Sequence, residues 1–219
     1  MSHATSLTQL LEDPRIWCAA QKHDGERNTL ETGFPGLDRL LTGNGWPRGS
    51  LIECLTPASG IGELSLWLPV MRRLSSEGHG LFWLDPPHLP YAPALAENAL
   101  DLSRLFIVRT HDSEEQCWAM EQILRCQAAG LALAWPHGRS KRPIRRLQLA
   151  AEAGDTMGVH LMSPECNTGA STAHLRLALS PLPNHLEVAI RRQRGGHTAT
   201  VNLPMAMPTE DSDSKAQPH

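Results

Sequence analysis

Seven consecutive residues, Thr56-Pro-Ala-Ser-Gly-Ile-Gly62, join an apolar run, Leu51-Ile-Glu-Cys-Leu55, to a stretch whose apolar residues recur at helical spacing. Strand, glycine-bearing loop and helix start, in that order, lay out a phosphate-binding loop, where backbone N–H groups converge on a polyphosphate. Ser59, Gly60 and Gly62 would present those amides. Phosphoryl chemistry also needs a lysine for the β/γ-phosphates and a hydroxyl for Mg²⁺ directly after the last glycine. Glu63 and Leu64 stand there instead, with Ser65 one residue further on. A carboxylate repels a triphosphate and leucine offers a metal nothing. The frame of a nucleotide site is therefore expected without its chemistry, with no catalytic residue, no cofactor and no metal.

Two basic clusters come next. In Arg139-Ser-Lys-Arg-Pro-Ile-Arg-Arg146, Arg139, Arg142 and Arg146 are spaced to share one helical face, flanked by Lys141 and Arg145. Such a face contacts phosphates or an acidic protein partner, or is simply solvated. Basic residues at a helix start oppose the helix dipole, which tilts the choice towards a contact. Arg191, Arg192 and Arg194 precede Gly195-Gly196 and suit a hairpin tip with the same two readings. Tyr91 lies among prolines (Asp85-Pro-Pro-His-Leu-Pro-Tyr-Ala-Pro93), a rigid setting for an aromatic interface anchor. Trp67, Trp118 and Trp135 are further exposed apolar candidates, and Trp83 is assigned to the core.

Other chemistries find less support. Five cysteines occur without a Cys-x-x-Cys pair, and Cys54, Cys117 and Cys126 sit in apolar surroundings that suit buried free thiols. Eleven histidines are dispersed without ligand spacing. The net charge is −3, with −2 in the first 31 residues and −2 from Met205 onward, leaving about +1 between them. That balance suits a protein-binding module or weak, indirect DNA contact rather than a strong independent DNA binder. No apolar run has transmembrane length and no leader pattern opens the chain, so a cytoplasmic protein without membrane contact is expected.

The elements that position these residues alternate. Apolar runs predict parallel strands at 51–55, 80–84, 105–108, 130–135 and 158–162. Helices are predicted at 63–74, with Pro69 kinking it, at 94–99, from a Ser113–Gln116 capping box to about Cys126, and at 141–153. From His174 the pattern changes to three half-exposed antiparallel strands, 174–179, 186–191 and 198–203, turning at Asn184 and Gly195-Gly196. The reading is an α/β fold: a mostly parallel central sheet with helices on both faces and C-terminal antiparallel strands. Residues 1–31 read as an N-terminal extension and linker, 32–204 as the α/β domain, and 205–219 as a disordered acidic tail.

With these motifs in place a resemblance becomes specific. "TGFPGLDRLL" (from Thr32), then "GWPRGSLIE" and the strand and loop, resembles the entry to the ATPase core of RecA-type recombinases. "PASGIGELSL", "PPHLPYAPAL" and "RRLQLAAEAG" read like the ImuA family, RecA-like accessory factors of mutagenic translesion synthesis. "GELSLWLPVMRRL" and the strand–helix order to His160 are shared more loosely with SulA, the related inhibitor of bacterial cell division. The entry at Thr32 and the "LEVAIRRQRGG" hairpin favour ImuA. The likeness runs from about Thr32 to Leu203.

The resemblance implies a RecA-like P-loop-type core and a role in the SOS response to DNA damage. Its implied partners are RecA, a catalytically inactive Y-family polymerase homologue (ImuB-like) and a specialised replicative-type polymerase. RecA-type enzymes carry a catalytic carboxylate just after the second strand, where Asp85 stands here before a proline-filled loop. The strand expected to end in aspartate ends in Trp135-Pro136. A SulA-type inhibitor of the tubulin-like septal GTPase is the alternative.

Overall fold

The computed structural model describes residues 28–136, 143–166 and 171–205. Short strands β1 (Thr29–Leu30) and β2 (Trp46–Pro47) pair with each other and flank helix α1 (Pro35–Asp38). The parallel strands are β3 (Leu51–Leu55), β4 (Gly80–Leu84), β5 (Leu105–Val108), β6 (Ala129–Ala134) and β7 (Met157–Met162). With β8 (Leu175–Leu182), β9 (His185–Gln193) and β10 (Ala199–Pro204) they form one eight-stranded sheet, ordered β10-β9-β8-β3-β7-β6-β4-β5. Pairings from β8 across to β5 are parallel, while β8–β9 and β9–β10 are antiparallel.

The pattern follows from composition. β3, β6 and β7 are apolar almost throughout and buried at every residue, as strands covered on both faces must be. β8 alternates buried and half-buried residues until it outruns β3. On one face, α2 (Leu68–Ser76) and α3 (Ala92–Glu97) contribute Val70, Met71, Leu74 and Leu95 to the larger core. On the other, α4 (Ser113–Leu124) and α5 (Ile144–Gly154) bring Met120, Leu124, Leu147 and Ala150 against Leu51, Leu84, Ala132 and Ala134. Small residues on strand and helix let these elements come close. A Cβ on Gly158 would lie 2.9 Å from Leu124 Cδ2, and one on Gly154 only 2.1 Å from the Leu124 carbonyl oxygen.

Several expectations are corrected. Pro69 does not kink a continuous helix. Glu63–Leu66 forms a 3₁₀ turn, and α2 begins at Leu68 with Pro69 in its first turn, where no N–H is required. α3 likewise starts two residues early, with Pro93 in its first turn. Ser113 does not cap α4. Asp112 does, its carboxylate accepting the Glu114 and Glu115 N–H groups, both at 2.9 Å. Among the described residues the helix expected from Lys141 starts at Ile144, after Pro143.

Trp67 is fully buried, its ring centroid 4.6 Å from that of Trp46, whereas Trp118 is 61% exposed. Cys54 is buried and Cys117 half-buried, but Cys126 is exposed, and none of the three is in a disulfide. No helix among the described residues is long and apolar enough to cross a membrane.

Candidate functional site

The glycine loop leaves β3 at the carboxyl edge of the parallel strands. Thr56 starts it by donating its N–H to Met162 O (2.7 Å) and its hydroxyl to Ala58 O (2.6 Å). Gly60 (φ 82°) and Gly62 (φ 93°) adopt the left-handed conformation that lets the chain turn into the 3₁₀ segment. Glu63 folds back into this turn. Its two carboxylate oxygens lie 3.1 and 3.0 Å from Gly60 N, accepting that N–H, and the residue is only 4% exposed. Met205, just past β10, lies over the loop, its Cε 2.3 Å from where a Cβ on Gly62 would be. Leu64 packs against the main core, and Ser59 is exposed. Burial, with the Glu63 charge as a second cause, pushes the Cys54 thiol pKa up strongly.

The neighbouring strand ends are clasped together. Asp85 follows β4 with φ 50° and is buried. Its carboxylate accepts the Thr110 N–H at 2.7 Å, the Thr110 hydroxyl at 2.5 Å and the Gln116 amide at 2.7 Å. The Gln116 amide also donates to Trp135 O at 2.9 Å, and Trp135 N–H donates to Leu84 O. One buried side chain from α4 thus ties the ends of β4 and β6. In the sequence, Gln116 suggests only a capping role. Its placement at a helix's inward spacing with Met120 and Leu124 was the available signal.

Above this edge runs the proline loop, held by Arg109, whose guanidinium donates to Pro86 O at 2.5 Å. It presents Leu89 and Tyr91, 84% and 72% exposed.

The basic candidates are not gathered into one surface. Arg145 and Arg146 lie at the start of α5, near the carboxyl edge, and Arg146 pairs with Glu121 at 2.8 Å. Arg139, Lys141 and Arg142 lie outside the described residues. Arg191 and Arg192 lie near the end of β9, towards the amino edge, and Arg194 follows at the turn. The Arg192 guanidinium donates to Ser171 O.

A row that the sequence reading missed crosses the sheet's second face. Arg176, Glu53 and His160 sit in register on β8, β3 and β7, with Glu53 and His160 each 3% exposed. Arg176 Nε is 3.5 Å from Glu53 Oε2. Polar residues inside apolar strands were the signal, but only strand order sets them side by side. Among the described residues no His, Cys, Asp or Glu group is arranged to hold a metal.

Comparison with known proteins places these features among relatives. A family model described as "Cell division inhibitor SulA" matches residues 58–158, from within the glycine loop to β7. The cell division inhibitor SulA of Edwardsiella piscicida is 30% identical over 103 residues, which are 47% of this chain and 61% of that protein. Protein ImuA of Caulobacter vibrioides (strain NA1000 / CB15N) is 28% identical over 137 residues, 60% of this chain and 56% of that one. The chain thus spans about three fifths of the length of these relatives. The crystal structure of SulA from Pseudomonas aeruginosa aligns with 51% of this chain and 97% of its own at TM-score 0.42 and 20% identity. The resemblance to ImuA, as a SulA-related protein, stands on these matches.

Proposed function

We propose that this protein is a non-catalytic, RecA-like accessory factor of SOS-induced, error-prone translesion DNA synthesis. In this reading it is a cytoplasmic adaptor that binds RecA, an inactive Y-family polymerase homologue, or both. The folded adaptor body is residues 32–204, and the glycine loop is a degenerate phosphate-binding loop. The observation that carries the non-catalytic part is the Glu63 carboxylate on the Gly60 amide. A carboxylate takes up the loop donor that an incoming phosphate would need, and its charge repels that phosphate. Asp85 supports the same conclusion. In the RecA resemblance a carboxylate at this position acts in catalysis, but here it accepts three hydrogen bonds from Thr110 and Gln116.

Partner contact is assigned to exposed groups. Tyr91 on the proline loop is the apolar anchor, and Arg145, Arg146, Arg191, Arg192 and Arg194 are the charged candidates, with Arg139, Lys141 and Arg142 outside the described residues. Contact with DNA, if it forms, is indirect through these partners.

A second reading has its own support. The matched family model is that of the SulA cell division inhibitor, so binding of the tubulin-like septal GTPase is the competing assignment. The ImuA match extends over more of the chain, 60% against 47%.

The deciding experiment is co-purification of the full chain with RecA, the inactive polymerase homologue and the septal GTPase, each tested separately. Capture of RecA or the polymerase homologue, without the GTPase, is the expected result. Capture of the GTPase alone transfers the protein to the second reading. Magnesium-dependent ATP turnover lost on Gly62 substitution would overturn the non-catalytic assignment.

A further inference from the structure

On the second face of the sheet, beyond the edge of α5, a groove of about 490 Å³ runs along β8. Its floor and rim include Leu55, Pro57, Pro164 and Ala178, and Arg176 and Arg191 line its other end. The buried residues of the core on this face come from β3, β4, β6, α4 and α5, leaving β8 and β9 outside it. Arg176 already meets Glu53. Arg191 is exposed and pairs with no acid among the described residues, so it supplies the groove's available positive charge. Glu187 points to the same face nearer the carboxyl edge, and an acidic occupant is thereby directed towards the Arg176–Arg191 end. No aromatic ring lines the groove, so it lacks a stacking platform for nucleic-acid bases.

We propose that the groove is a docking site for an acidic peptide segment, and that its occupant is this chain's own C-terminal tail, Glu210-Asp-Ser-Asp213. Chain length and origin support this occupant. Met205 N–H donates to Asn184 O in the β8–β9 turn, so the tail departs from the edge at which the groove opens. The five residues from Met205 to Glu210 reach about 17 Å when extended. From Leu182 to Arg176 along β8 is six residues, about 20 Å. Asp211 and Asp213, six and eight residues past Met205, extend to about 20 and 27 Å, so the run from Glu210 to Asp213 brackets the arginines after crossing the edge. A partner's acidic segment would have to displace the tail, and this holds whichever partner the protein serves.

The test is the ¹⁵N–{¹H} heteronuclear NOE of residues 209–214 in the full chain at low salt. Docking gives these amides values near those of the sheet. Arg191→Glu drops them to values typical of a free terminus, and so does about 0.5 M NaCl, which shortens the screening length to a few Å. Adding Glu210→Arg and Asp211→Arg to Arg191→Glu restores the high values, which a merely misfolded variant would not do. Tail values already typical of a free terminus in the native chain would overturn the proposal. So would groove resonances that shift with protein concentration, indicating a second copy, or that respond only to an added oligonucleotide while the tail stays free.

Discussion

Glu63 shows how one side chain can decide the character of a loop. In the sequence it stands where a phosphate-binding lysine would be, which argues only for a lost function. Folded, the same carboxylate acquires a positive role by holding the turn at Gly60. Glu63→Ala removes a nearly buried charged acceptor from the Gly60 amide, and hydrogen bonds to charged groups contribute about 1.5–3 kcal/mol. Chemical denaturation should register a loss of that size, with the midpoint lowered and the slope unchanged. A variant as stable as the native chain would show that water serves the amide equally well.

At the start of α4, the exposed His111 and Glu115 form a smaller pair. Hydrogen bonding to Glu115 raises the His111 pKa above its ordinary 6.5, and the His111 backbone and side-chain bonds lower that of Glu115 below 4.5. The histidine's contribution is complete below 6.5 and is lost as pH rises through its raised value. That of the glutamate is complete above 4.5 and is lost as pH falls through its lowered value. NMR titration should place the His111 midpoint above 6.5, and Glu115→Gln should bring it down. An unchanged midpoint in that variant would remove Glu115 as the cause.

Elements were legible in proportion to how far their residues act locally. The apolar runs at Leu51–Leu55 and Leu105–Val108 match those strands to the residue, because an unbroken apolar run leaves a continuous signal whether the strand is buried throughout, as β3 is, or lies exposed at the sheet edge, as β5 does. Helix starts were less secure. Ser113 and Asp112 are adjacent and both can cap, and only the backbone path shows which one faces the free amides. Pro69 looks like a kink in the sequence because the 3₁₀ turn before it continues the same apolar spacing.

Contacts between elements left little trace in the sequence. Gly154 looks like an ordinary helix end, yet it is where α5 touches the last turn of α4. A methyl group there would meet the Leu124 carbonyl and the Arg125 backbone, neither of which can rotate away. Gly154→Ala should therefore cost about 1–3 kcal/mol despite alanine's better helix propensity. Thermal unfolding decides the sign, and stabilisation would mean that α4 and α5 can separate at no cost.

At the scale of the whole molecule, strand order distributes the candidate residues between the two edges of the sheet. The sequence could suggest each cluster but not their separation, since crossovers alone place Arg145 near the carboxyl edge and Arg191 towards the amino edge. The carboxyl edge brings together the closed glycine loop, the Asp85–Gln116 clasp and the proline loop with Leu89 and Tyr91 exposed. The clasp fixes the strand ends, Arg109 fixes the loop, and the prolines limit the entropy lost when a partner binds. An apolar anchor held this rigidly suits protein contact at the edge where open α/β sheets bind their ligands. The double substitution Leu89→Ser and Tyr91→Ser touches no core residue and should leave the melting temperature within about 1–2 °C of native, as exposed substitutions away from special features do. Partner affinity in the co-purification pair should fall by about 30-fold or more, the loss of a hot spot worth about 2 kcal/mol. Undiminished capture by the double variant would move the partner surface off the proline loop, leaving the arginines at the two edges as the remaining candidates.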